Sequence, residues 1–147
     1  MMERFMSRSW VRNGLIAAAL ANIAGVLLFS LAFTNPSINS ADPVVMSNFG
    51  LVMILVWGLA YLGAAFVKSE IKWLAGVFAI EKLVYVVVWV KWIMGNSLSE
   101  LYSRDLLAGI FYTLYGPNDL LFMVFFAWIF FAQSNPQNST RSMESLS

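Results

Sequence analysis

The sequence predicts an all-α integral membrane protein, an antiparallel bundle of four transmembrane helices with a Gly-Pro break in the fourth. Three observations carry that expectation. Apolar side chains make up 60% of the 147 residues and charged ones only 12%, against roughly one quarter charged in water-soluble domains. The apolar residues fall in four runs, at about 11–33, 49–67, 71–94 and 105–132, each able to cross about 30 Å of hydrocarbon. The stretches between the runs are either very short or rich in Pro, Asn and Ser.

The first run follows Arg4, Arg8 and Arg12, the layout of a secretory leader. Leu15 to Phe33 is longer than the roughly 7 to 15 apolar residues of such a leader, and Asn39 is a poor third residue before a cut at Ala41, so a retained helix is expected. Gly14, Ala18, Ala21 and Gly25 recur along it at the spacing that lets helices approach closely, within a bundle or between two copies. The connection Thr34 to Asn48 holds Asn35-Pro36 and Asp42-Pro43 and no Lys or Arg; turns outside any helix are expected there. A second run, with Ala60, Gly63 and Ala64, ends at Lys68-Ser69-Glu70, a link so short that the second and third runs must form a tight antiparallel hairpin. The link from Gly95 to Arg104 is polar and mixed in charge.

In the fourth run, Tyr115-Gly116-Pro117-Asn118-Asp119 places a proline where it removes an amide donor and crowds the preceding turn. An interruption between Tyr115 and Asn118 is expected, with a new half-helix that holds Pro117 in its first turn and Asp119 near its positive end. A rival reading rests on the echo between Asn48-x-x-Leu51-x-Met53 and Asn118-x-x-Leu121-x-Met123. It starts the last crossing near Asn118 and lays 105–115 in the outer interface.

Basic residues set the orientation. Arg4, Arg8, Arg12, Lys68, Lys72 and Arg141 share one side, against Lys91 and Arg104 on the other, so both termini are expected in the cytoplasm. Residues 1–10 then form a cytoplasmic N-terminal segment, 11–132 the membrane domain, and 133–147, rich in Ser, Asn and Gln, a disordered cytoplasmic tail. Trp10, Trp73, Trp89, Trp92 and Trp128 lie near predicted helix ends, where indoles favour the headgroup region. Compact loops and small size point to a bacterial inner membrane.

Chemistry concentrates at Glu81 and Lys82, in the middle of the third run. Two central charges cost roughly 5–7 kcal/mol on an insertion scale, which the Val, Leu, Ile and Phe residues of that run offset by about 4–7 kcal/mol, so this helix needs polar partners. Neighbouring residues point about 100° apart on a helix, so the two charges face different elements. The midpoints of the runs bring Asn22, Glu81, Lys82, Asn118 and Asp119 to similar depth. That layer holds two carboxylates and one ammonium. If Lys82 pairs with Asp119, Glu81 must be protonated, accept hydrogen bonds from groups such as Asn22 or Tyr61, or hold a cation. The candidate polar site is therefore Glu81, Lys82, Asp119, Asn118, Asn22, Tyr61 and Tyr115.

The chain has neither Cys nor His, which excludes disulfides, thiolate and imidazole catalysis and the common zinc, copper and haem ligands. Gly-rich phosphate loops and nucleophile elbows are absent too. No cofactor, metal or catalytic residue is expected, and a net charge of +1 gives no attraction to nucleic acid. Partners are expected to be the lipid bilayer and either further copies of the chain or a larger membrane complex. Two function classes follow. One is a membrane module whose mid-depth polar site binds or transports an ion, a proton or a small amphipathic ligand; the other is an accessory subunit whose buried charges only fix helix packing.

Overall fold

Local signals in the sequence set where each helix begins. Ser7, Ser47 and Asp105 precede apolar runs, and each side chain accepts an amide from the first turn, of Trp10, Gly50 and Ala108 respectively. The computed structural model describes residues 7–133. What the sequence implies for the segment before Ser7 and for the tail from Ser134 onward lies outside the described residues. Within them are six helices and no strand: α1 (Arg8–Phe29), α2 (Pro36–Ala41), α3 (Asn48–Ala65), α4 (Lys72–Gly95), α5 (Leu98–Arg104) and α6 (Leu106–Ala132). Four of these, α1, α3, α4 and α6, are long and apolar enough to cross a membrane.

Three expectations need correction. The first helix ends at Phe29, not near Phe33, because Ser30 and Asn35 stop it. Leu31, Ala32 and Phe33 all have positive φ, at 50°, 52° and 70°. The amides of Leu31 and Ala32 turn back to the carbonyls of Leu28 and Leu27 at 3.3 and 2.9 Å, a Schellman ending built without glycine. Left-handed backbone costs about 1–2 kcal/mol per non-glycine residue. Hydrogen bonds hold it: Ser30 Oγ accepts from the Phe33 amide at 2.9 Å, and the Asn35 side-chain amide donates to the Phe29 carbonyl at 3.2 Å.

The following connection is not free of helix. Asn35 caps α2 by accepting from the Ser37 amide at 3.0 Å, with Pro36 in the first turn where its missing donor is harmless. Ile38 and Met46 are fully buried, so this short segment closes one end of the molecule.

The fourth run is also not interrupted: α6 continues through Pro117, and it begins at Leu106, so the rival start near Asn118 fails as well. Trp89 packs on the turn that leads into Pro117. Its ring lies so close to Gly116 that a Cβ there would sit 2.0 Å from it, and its indole N–H donates to the Tyr112 carbonyl at 2.7 Å. That bond is made to the Tyr112 carbonyl; the carbonyl that Pro117 leaves without its helical amide is that of Thr113. Trp89 and Trp92 are accordingly not free interfacial indoles. Trp92 is buried and donates to the Ala41 carbonyl at 2.9 Å.

Helix α1 packs against α3, and α4 against α6. Arg8 donates to the Lys68 carbonyl, and the Ile71 amide donates to Gln133, which gathers one set of helix ends. At the other end, Asn39 bonds Met46 and Asn48, and Tyr112 bonds the Ile38 carbonyl. Two apolar clusters form the interior. One contains Leu15, Tyr61, Phe78 and Phe126, the other Val26, Met46, Leu51, Trp92 and Tyr112. The outer surface is apolar as well, with Leu20, Leu59, Ile80, Leu121 and Val124 exposed, while Asn22, Glu81, Lys82 and Asp119 are inside.

Candidate functional site

Asn22 of α1, Glu81 and Lys82 of α4 and Asp119 of α6 are buried, and the Tyr61 hydroxyl of α3 joins them. Helical geometry separates the neighbours Glu81 and Lys82, so that they meet different partners. Lys82 Nζ donates to Asp119 Oδ1 of α6 at 2.7 Å and to Asn22 Oδ1 of α1 at 3.0 Å. Asn22 in turn donates its amide to the Ile54 carbonyl of α3 at 3.1 Å, and Asn118 donates to Asp119 Oδ1 at 3.3 Å. One chain of hydrogen bonds therefore ties α4, α6, α1 and α3. With its ammonium also 5.3 Å from the centre of the Tyr61 ring, Lys82 sits 2% exposed with its charge matched.

Glu81 is placed differently. Tyr61 donates its hydroxyl to Glu81 Oε2, while Oε1 is buried and has no partner among the described residues. The Tyr61 ring is held edge-on by Phe78 and tilted against Phe126, at 4.8 and 5.1 Å between ring centres, so the donor is fixed in position. Glu81 is 7% exposed. With Lys82 matched to Asp119, the layer keeps one carboxylate whose charge has no counterpart. An unmatched polar atom out of water is expensive, which makes this oxygen the least settled atom of the layer.

Both halves line a cavity of about 160 Å³. Its polar floor is Asn22, Glu81, Lys82, Tyr85, Tyr115, Asn118 and Asp119, and its upper wall includes Val26, Phe29, Met46, Phe111 and Leu114. The Tyr115 hydroxyl is a second buried polar group without a partner among the described residues.

No family model, no curated protein and no solved structure matches the chain.

All seven residues that the sequence singled out lie in this layer, and six of them line the cavity; Tyr61 stands behind Glu81. The expected pairing of Lys82 with Asp119 is present, and of the two donors considered for Glu81, Tyr61 fills that place while Asn22 does not. Sequence reasoning missed Tyr85, Phe29 and Met46. Tyr85 follows Glu81 by one helical turn and could have been read from that spacing. Phe29 and Met46 line the cavity only because α1 stops early and the next segment folds back, and no pattern in the sequence announces that.

Proposed function

We propose that the chain is a small multi-pass membrane protein, an antiparallel four-helix bundle whose mid-membrane cavity binds a small ligand through Glu81. The observation that carries this reading is the unpartnered Glu81 oxygen beside a cavity, in a layer where every charge of Lys82 and Asp119 is already matched. Intramembrane ionisable groups are costly enough to mark binding or transport sites as a rule. The apolar exterior, the buried polar interior and the four long helices support insertion. Arg8, Arg12 and Lys68 line one pocket at the end where α1 begins. By the positive-inside rule that end, and both termini, face the cytoplasm, of a bacterial inner membrane on this reading.

A second reading has its own observation. The hydrogen-bonded chain from Lys82 through Asn22 to Ile54, with Asp119, links all four long helices and would serve an accessory subunit, alone, as a further copy, or in a larger complex, that needs only a fixed register. A stability screen separates the two. Purified protein in neutral nanodiscs is melted with alkali cations, at several pH values, and with small amines, fatty acids and alcohols, alongside Gly25→Leu, which obstructs the cavity. The binding reading expects at least one condition that stabilises the parent and not the variant. If none does so across the panel, the accessory reading stands.

A further inference from the structure

The cavity also says what kind of ligand suits it, an inference that rests on the binding reading above. Five titratable side chains line it: Glu81, Lys82, Tyr85, Tyr115 and Asp119. Lys82 already donates to Asp119 and Asn22, so it offers no free cation to an anionic headgroup. The carboxylate left over gives the lining a net charge of −1 when it is ionised. A proton on Glu81 would cancel that charge, but whichever oxygen carries it, Oε1 would still have no partner among the described residues. An inorganic metal ion is poorly served too, since among the described residues no three carboxylates converge.

A group that carries positive charge and N–H donors meets both requirements. Glu81 Oε1 and the Tyr115 hydroxyl are both closed to a water-sized sphere, so the carboxyl and the hydroxyl would turn toward the cavity to take hydrogen bonds from such a group. Tyr85, Tyr115, Phe29 and Phe111 line the cavity, and aromatic rings are surroundings that a desolvated cation tolerates well. Size limits what enters. A dry cavity of about 150 Å³ holds a benzene-sized group, and this one, at about 160 Å³, admits a headgroup and its first few carbons. The remainder must leave sideways. A side chain at Gly25 would meet nothing within 4 Å, and Leu114, on the facing wall, is half exposed, so the opening lies between α1 and α6.

We propose that this cavity takes a monocationic amphipath of the alkylammonium class, its ammonium held by Glu81 and Tyr115 and its hydrocarbon leaving between α1 and α6 past Gly25 and Leu114. The molecule would arrive from the bilayer rather than from water.

The test uses three probes with one chain and three headgroups, dodecylammonium, dodecanol and dodecanoate. Each is titrated calorimetrically into the full chain in zwitterionic nanodiscs, at concentrations that leave the discs intact. Dodecylammonium should bind saturably, one per chain, and at least about tenfold more tightly than the others, the worth of one charge-assisted hydrogen bond. Glu81→Gln should abolish that preference, Tyr115→Phe should weaken binding severalfold, and Gly25→Leu should block it, with helical circular dichroism unchanged in all three. Equal or tighter binding of dodecanol or dodecanoate, if blocked by Gly25→Leu, overturns the cationic class and leaves the binding reading intact. A preference for dodecylammonium that survives Glu81→Gln, or no binding of dodecylammonium to the folded parent, also overturns the proposal.

Discussion

Lys82→Met should be among the most damaging single substitutions in the chain. The ammonium is 2% exposed and donates to Asp119 at 2.7 Å and to Asn22 at 3.0 Å. Removing it leaves Asp119 with the Asn118 amide at 3.3 Å and no counter-charge. Breaking a buried pair from one side costs about 3–5 kcal/mol, most of it the charge left behind. The Asn22 oxygen loses its donor as well, within the range of about 1–3 kcal/mol for a stranded buried acceptor, so the total belongs at the upper end. Asp119→Asn in the same chain removes the stranded charge, and the double variant should regain about 2 kcal/mol relative to the sum of the single losses. The assay is equilibrium unfolding in mixed micelles, followed by circular dichroism, for the parent, both single variants and the double. Strict additivity would refute the reasoning, because groups that touch at 2.7 Å cannot contribute independently.

The other expectations concern packing and topology. Trp89→Phe should cost about 1 kcal/mol through the lost bond to the Tyr112 carbonyl, and as much in a Pro117→Ala background, where the restored amide faces the Thr113 carbonyl instead; a smaller cost there would couple Trp89 to the proline. Gly116→Ala should destabilise by about 1–3 kcal/mol because its Cβ would fall 2.0 Å from the Trp89 ring, whereas Gly25→Ala, with nothing within 4 Å, should be close to neutral in the same unfolding assay. Alkaline phosphatase fused between 34 and 47 should be active and fused after Ser134 inactive, and the reverse pattern would invert the proposed orientation. A cysteine at position 118, inside an unbroken α6, should resist an impermeant thiol reagent added to intact cells; ready labelling would return the last crossing to a start near Asn118.

Much of the site was legible because charge in an apolar run has few places to go. Glu81, Lys82 and Asp119 stand out from spacing alone, and counting two carboxylates against one ammonium anticipates both the Lys82 pair and the exceptional position of Glu81. Chain ends of helices were harder. Leu31, Ala32 and Phe33 look like the continuation of a helix, since no glycine marks the left-handed turn, and the stop lies in the side chains of Ser30 and Asn35. Asn35-Pro36 and Ser97-x-x-Glu100 are helix starts that read equally well as loop: Asn35 caps α2, and Ser97 accepts the Glu100 amide at 3.3 Å to open α5. Pro117 misled for a different reason. A proline removes a single helical bond, here to the Thr113 carbonyl, and α6 continues around that loss.

Lys82, Asp119 and Asn22 tie the helices together, whereas the proposed role of Glu81 is to hold a ligand. Its most direct test compares Glu81→Gln with the parent in bilayer nanodiscs, measuring unfolding free energy without a probe and with dodecylammonium at about a hundred times its dissociation constant. Without the probe the two proteins should agree within about 1 kcal/mol, because glutamine still accepts from Tyr61 and its amide only replaces an Oε1 that already has no partner among the described residues. With it the parent should gain about 2.7 kcal/mol and Glu81→Gln nearly nothing. If instead Glu81→Gln loses as much stability as Lys82→Met, and whatever stabilisation the probe gives the parent persists in it, Glu81 is a packing group and the proposed binding site is contradicted.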